Sequence, residues 1–235
     1  MPDRLDQTLL PEEFSTQVAQ ALRTSQTRIR GELDLILRNE VPDPPRRQLE
    51  SIRDELERLS RLCRRVFLLL RLEGQVRDGC LPDERVDLSE VVSELVEQMT
   101  PFARDRGVGI RTGDMASAPV RGSRPLLVEA VFILLERATR STPEGGLVTV
   151  STDASVDGAQ VLVEDDAPAV APAERERIFQ PFHKIPGSPP GAESGTGLGL
   201  AIVKGVARAH GGRVELLDAP RGGNLFRLKL PALRP

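Results

Sequence analysis

The sequence contains no tryptophan and no tyrosine; seven phenylalanines supply all of its aromatic character. A platform that stacks the bases of single-stranded nucleic acid needs exposed aromatic rings, so that class of function is disfavoured. Cysteine is scarce. Cys63 falls in a helical pattern and Cys80 in a linker-like stretch, a spacing that suits neither a disulfide framework nor a metal site. A reducing compartment is expected. Histidine occurs twice, as His183 and His210. Apolar runs such as Val66–Leu70 are far shorter than the roughly 20 residues that cross a bilayer. The opening MPDRLDQTLLPEEF is acidic and polar, unlike a secretory leader. The net charge is −3, and the 32 lysines and arginines are dispersed rather than gathered in a basic stripe. No dedicated nucleic-acid partner, no membrane insertion and a cytoplasmic location are therefore expected.

Hydrophobic residues make up 39% and charged residues 29% of the 235 residues, a balance ordinary for a globular chain of one or two domains. Residues 1–12 read as a polar tail, too short for a sensing domain, so any input is expected from a partner or a ligand. Over 13–40, Phe14, Val18, Leu22, Ile29, Leu33 and Ile36 recur at helical spacing, with polar Ser25 in one gap. Three prolines, Pro42, Pro44 and Pro45, then interrupt the pattern. Over 47–73, Leu49, Ile52, Leu56, Leu59, Cys63, Val66 and Leu70 alternate steps of three and four, a heptad seam, with Arg53, Glu55, Glu57, Arg58 and Arg61 on the outer faces. Two long helices and a short turn make a hairpin with little core of its own. Its seam can be buried by a second copy, giving a four-helix bundle and a homodimer through residues 13–73, or by the chain's own second domain.

Residues 74–86, with Gly74, Gly79 and Pro82, read as a linker. The rest, 87–235, mixes helical and alternating patterns. Asp87 or Ser89 is placed to cap a helix reaching about Arg106. A short strand at Val108–Thr112 precedes a helix at Leu126–Arg140. Strands at Leu147–Asp153 and Gln160–Glu164 flank a hairpin turn at Asp157-Gly158. A helix at Leu198–His210 ends at Gly211 and Gly212, and strands at Arg213–Leu217 and Leu225–Leu230 close the chain. The fold class expected is α+β: a two-helix hairpin, then a two-layer sandwich of helices on a sheet.

One stretch carries ligand chemistry. Gly195, Thr196, Gly197, Leu198 and Gly199 lead directly into a helix. Glycines let backbone N–H groups approach an anion, and a helix N-terminus adds positive potential. No Gly-Lys-Ser/Thr follows, which excludes a Walker loop, and no strand feeds the loop, which excludes a dinucleotide fingerprint.

This loop, together with Glu176–Lys184 (ERIFQPFHK), Gly195–Val203 (GTGLGLAIV) and Ala209–Gly212 (AHGG), resembles the ATP-binding domain of sensor histidine kinases, the fold shared with gyrase, MutL and heat-shock-ninety ATPases. Leu134–Gly146 is similar to the family's asparagine box and Val161–Ala169 to its adenine box; the hairpin resembles the dimerisation and phosphotransfer domain. The resemblance covers residues 14–232 and implies the histidine-kinase ATPase type of sandwich for 87–235. It also implies that Asp165 accepts from an adenine amine, that Arg140 and Lys184 stand near phosphates, and that residues 195–199 form the loop over them.

Three departures bear on function. Gln20 stands where the family has its phosphorylated histidine, and Ala21 where it has the acidic neighbour. A carboxamide cannot accept a phosphoryl group as an imidazole does. Arg137 replaces the asparagine that holds magnesium, and Ile133 the earlier asparagine; the chain's two asparagines, Asn39 and Asn224, lie outside the box. A guanidinium has no lone pair for a metal but pairs well with phosphate oxygens, so no metal site is expected. Ala167 and Ala169 replace glycines, which would strain the backbone if φ were positive there. His183 and His210 read as non-catalytic. The leading expectation is a pseudokinase that dimerises, binds ATP or ADP and docks a response-regulator receiver domain or an active histidine kinase. Three alternatives are a receiver phosphatase in which Gln20 and Thr24, one helical turn apart, orient water; a kinase acting on a partner chain's histidine; and a structural dimer with a vestigial ATP fold.

Overall fold

The computed structural model describes residues 24, 26–37, 45–78, 84–155, 158–183 and 197–233, and the chain divides into two compact units between Gly74 and Gln75. In the first unit, α1 (26–37) and α2 (Pro45–Asp78) form an antiparallel hairpin. Gln26 Nε2 donates to Cys63 Sγ at 3.6 Å, Arg30 pairs with Glu57 at 3.6 Å, and Arg46 Nη1 donates to the Leu37 carbonyl at 3.5 Å. These contacts step in opposite directions along the two helices and so fix their register. Cys63 is a free thiol; Cys80 lies outside the described residues. Within the hairpin Leu33, Leu37 and Leu72 are buried, whereas Leu35 is 63%, Ile52 51% and Leu59 48% exposed.

The second helix is longer than its apolar pattern predicts. It begins at Pro45, where a fixed φ suits a first helical position, and runs past Gly74 to Asp78. The expected linker at 74–86 is shortened further by β1 (Glu84–Asp87). That strand pairs antiparallel with β3 (Pro119–Gly122) in a two-stranded ribbon that the sequence reading does not contain. Strands of four residues offer too few alternations to register as a pattern.

The second unit is a two-layer α+β sandwich. Five strands, β2 (Gly109–Met115), β4 (Leu147–Ser155), β5 (Gly158–Asp165), β6 (Arg213–Asp218) and β7 (Asn224–Leu230), lie in the order β2-β4-β5-β7-β6. Only β2 and β4 are parallel. Ser155 pairs with Gly158 across the β4–β5 hairpin, and Asp157 lies outside the described residues. Every second residue of β7 is buried, which aims Asn224, Phe226, Leu228 and Leu230 at one face. On β5 the matching set is Ala159, Val161, Val163 and Asp165. Three helices cover that face: α3 (Leu88–Asp105), α4 (Arg124–Ser141) and α5 (Gly199–Ala209). Leu127, Leu134, Leu135, Ile202 and Phe226 are all sealed from solvent, each worth about 1.5–3 kcal/mol of burial.

The caps follow from local chemistry. Asp87 caps α3: its Oδ1 accepts from the Ser89 amide, the Ser89 hydroxyl and the Ala118 amide, and its Oδ2 from the Ser117 hydroxyl. These donors outweigh its partial burial and lower its pKa from 3.8 to about 2. The same carboxylate therefore starts α3 and ties it to the segment before β3. Pro101 sits inside α3, and the helix continues to Asp105.

Candidate functional site

The site lies where the C-terminal end of β5, the start of β7 and the inner face of α4 meet. Asp165, the last residue of β5, is 1% exposed. Its Oδ1 accepts from the Ala167 amide at 3.1 Å and from Asn224 Nδ2 at 2.8 Å, while Oδ2 is buried without a partner. Burial raises its pKa, opposed by the hydrogen bond from Asn224 and by the positive charge of Arg137.

Asn224 is a residue that the sequence reading placed outside the site. The antiparallel pairing of β5 with β7 sets Asp165 opposite Asn224. The Asn224 side chain also accepts from the Val170 amide at 2.9 Å and donates to the Pro168 carbonyl at 3.2 Å, stapling the segment that follows Asp165. Two strands separated by some sixty residues bring these side chains together. The sequence carries no local signal for this, because β5 and β7 are not a hairpin and meet only through the sheet order. Gly223 belongs to the same closure. It has φ +86, and any Cβ there would collide with the Asp165 carbonyl.

Arg137 points inward from α4. Its Cζ stands 4.7 Å from the centre of the Phe226 ring, a cation–π contact. Its Nη1 is buried without a hydrogen-bond partner. Burial lowers its pKa, partly countered by the Asp165 carboxylate; a guanidinium nevertheless stays charged. Arg140, one turn further on, is directed elsewhere. It lies over the Phe102 ring of α3 at 5.2 Å and pairs with Glu136 at 3.1 Å.

At the start of α5, Gly197 has φ +69, and its carbonyl accepts from the Phe182 amide at 2.9 Å. A Cβ at Gly197 would come within 2.8 Å of the Phe182 backbone, so this approach needs glycine. A Cβ at Gly199 would stand 3.0 Å from Ile133 Cγ2, which brings α5 close against α4. Leu198 between them is buried. Lys184, Gly195 and Thr196 lie outside the described residues, as does Gln20. Thr24 is helical and exposed.

One expectation changes. Neither Ala167 nor Ala169 has positive φ; among the described residues Phe182 is the one non-glycine residue that does, at 62°. The two alanines therefore cost the backbone no strain, and Ala167 packs into the interior at 4% exposure. The histidines are also engaged. His210 Nε2 accepts from the Ser123 amide at 3.0 Å while Nδ1 donates to the Val206 carbonyl at 2.8 Å, joining the start of α4 to the end of α5. His183 contacts Glu174 at 2.6 Å.

The donor set does not suit a divalent cation. Arg137 places a buried positive charge beside the carboxylate, and the described residues contain no group of three histidine, cysteine or acidic side chains able to hold a metal. It does suit an organic ligand with a hydrogen-bond donor, such as an exocyclic amine, since Asp165 Oδ2 is an acceptor waiting for one.

Residues 122–234 match the family of histidine kinase-, DNA gyrase B- and HSP90-like ATPases. The sensor-like histidine kinase SenX3 of Mycobacterium bovis is 34% identical over 188 residues, 80% of this chain and 45% of SenX3. Sensor protein IrlS of Burkholderia pseudomallei is 30% identical over 234 residues, 99% of this chain and 50% of IrlS. The chain thus spans about half the length of these relatives. Among solved structures, the mycobacterial sensor histidine kinase MprB is 31% identical, with 65% of this chain and 99% of that one covered and a TM-score of 0.56. Full-length ShkA in complex with AMPPNP shares the fold at a TM-score of 0.80 and 24% identity, over 96% of this chain and 47% of that one. From its glycine loop to its sheet order, this chain belongs to the sensor histidine kinase family.

Proposed function

We propose that this chain is a pseudokinase of two-component signalling. Two copies associate through residues 13–73, ATP or ADP binds at Asp165, and the hairpin dimer docks a response-regulator receiver domain or an active histidine kinase in the cytoplasm. It does not phosphorylate itself. One observation carries this reading: residues 1–182 contain no histidine, so the hairpin has no imidazole to accept a phosphoryl group. Both histidines lie in the α/β unit and are engaged there, one with Glu174 and one with the Ser123 amide.

The exposed Leu35, Ile52 and Leu59 support the dimer, because a second hairpin would remove them from water. The unpartnered Asp165 Oδ2 supports the nucleotide. Nucleotide then controls docking only to the extent that it binds two arrangements of the protein with different affinity. The domain division that goes with this reading is a tail at 1–12, the hairpin at 13–73, a linker within 74–86 and the ATP-binding domain from 87 onward.

The test is incubation of the purified chain with γ-labelled ATP and magnesium or manganese. No acid-labile label is expected on the protein, while calorimetry detects nucleotide binding. Label on the chain would overturn the pseudokinase reading. Loss of label from a phosphorylated receiver domain in the presence of this protein, abolished by Gln20→Ala and Thr24→Ala, would favour the phosphatase instead.

A further inference from the structure

Arg137 and Asp165 are opposite charges on facing layers of the sandwich; Asp165 is buried, Arg137 is partly exposed, and each has one buried polar atom without a hydrogen bond. No hydrogen bond joins them: Asp165 Oδ1 is taken by Ala167 and Asn224, while Oδ2 and Arg137 Nη1 are unmatched. A buried donor or acceptor left unmade costs about 1–3 kcal/mol. Two such atoms of complementary type on facing layers of the sandwich mark the place where a ligand supplies the missing partners. That ligand must offer a donor to a carboxylate and an acceptor, better an anion, to a guanidinium.

We infer that Arg137 takes the place of a metal ion, so that nucleotide is held between the Asp165 carboxylate and the Arg137 guanidinium without a divalent cation. This rests on the nucleotide-binding reading above. Asp165 Oδ2 would take the exocyclic amine of the base, and Arg137 would meet acceptor atoms of the same ligand. The guanidinium is prepared for that task. It lies over the Phe226 ring, and its helix is anchored by the buried Leu134, Leu135 and Ala138 around it, so little side-chain freedom remains to be lost on binding. A divalent cation at the same place would face a fixed positive charge and no ligating group from position 137. Cation and guanidinium would compete for the same anionic atoms.

The experiment is calorimetry of the full chain with ATP and with ADP, in EDTA and in magnesium, for the wild type, Arg137→Asn and Arg137→Lys. Thermal unfolding of each protein shows that it is folded. For the wild type, the dissociation constant should differ by less than about threefold between the two buffers. Arg137→Asn removes the cation and restores a side chain that can ligate a metal. It should bind about tenfold or more weakly in EDTA and recover in magnesium. Arg137→Lys keeps the charge without the fork; it should lose roughly tenfold in both buffers and remain indifferent to magnesium. It decides the matter if the asparagine variant does not fold. Wild-type binding that disappears in EDTA would overturn this inference and leave the pseudokinase reading standing. So would an asparagine or lysine variant that binds in EDTA as well as the wild type. Absence of nucleotide binding to the wild type in either buffer would overturn both this inference and the nucleotide-binding part of the proposed function.

Discussion

The hairpin and the sandwich use apolar residues in different ways. In the sandwich, large side chains such as Leu134, Ile202 and Phe226 are buried by other parts of the same chain. In the hairpin, Leu35, Ile36, Ile52 and Leu59 are 45–63% exposed, and few long side chains among its described residues are sealed. The sandwich closes its core because helices from three places in the sequence fold onto one sheet face. Two helices cannot enclose a volume, and the heptad seam of the second leaves an apolar strip uncovered by the hairpin itself. The sandwich thus buries its core within one chain, whereas the described part of the hairpin leaves apolar side chains in water.

The comparison can be broken most forcefully at Phe226, whose ring fills the sheet face beneath Arg137. Phe226→Ala should cost the sandwich about 3–5 kcal/mol, read from the denaturant midpoint, with no effect on association through the hairpin. The converse change is Ile52→Asp with Leu59→Asp. It should weaken dimerisation by at least about a hundredfold, measured by sedimentation equilibrium, while the thermal transition of the sandwich stays in place. A monomeric wild type would show instead that the seam is covered within one chain.

A smaller effect is expected at the α3 cap. Asp87→Ala should destabilise the sandwich by about 1–2 kcal/mol. The folded pKa of Asp87, about 2, lies below its ordinary 3.8. Its contribution is therefore present above pH 3.8 and lost as pH falls toward 2, so the wild-type and variant stabilities should converge over that window.

The smallest effect concerns His210. Burial lowers its pKa below 6.5, and its Nε2 must be unprotonated to accept from the Ser123 amide. The unfolded chain then binds the proton more readily, so the stabilisation is present above pH 6.5 and declines as pH falls below it. The slope from one such group is at most about 1.4 kcal/mol per pH unit. His210→Gln should remove it from denaturant titrations of the sandwich. Residues 1–74 contain no histidine, so dimer association should lack this dependence.

Much of the fold was legible because it is written in period. The heptad steps of 49–70 and the alternation of 147–153 and 225–230 correspond to α2, β4 and β7. The ribbon of β1 and β3 was not legible, since its strands gain stability from pairing with each other rather than from a pattern of their own. Within the site, the replacement of an expected asparagine by Arg137 and the survival of Asp165 could be read by position. The role of Asn224 could not, because it arises from strand register. Alanine at 167 and 169 strains the backbone only at positive φ, and neither residue adopts it.

By itself the sequence determined which chemistry is present: no imidazole on the hairpin, an arginine in place of an expected asparagine, and a carboxylate at Asp165. Side-chain type is local information, and no fold can add a histidine. Only the tertiary structure decided that Arg137 turns inward over Phe226, that Arg140 turns away to Glu136 and Phe102, and that Asn224 satisfies one oxygen of Asp165 and leaves the other free. Those outcomes depend on which surfaces pack and which strands pair, and on the cost of burying a polar atom once they have done so.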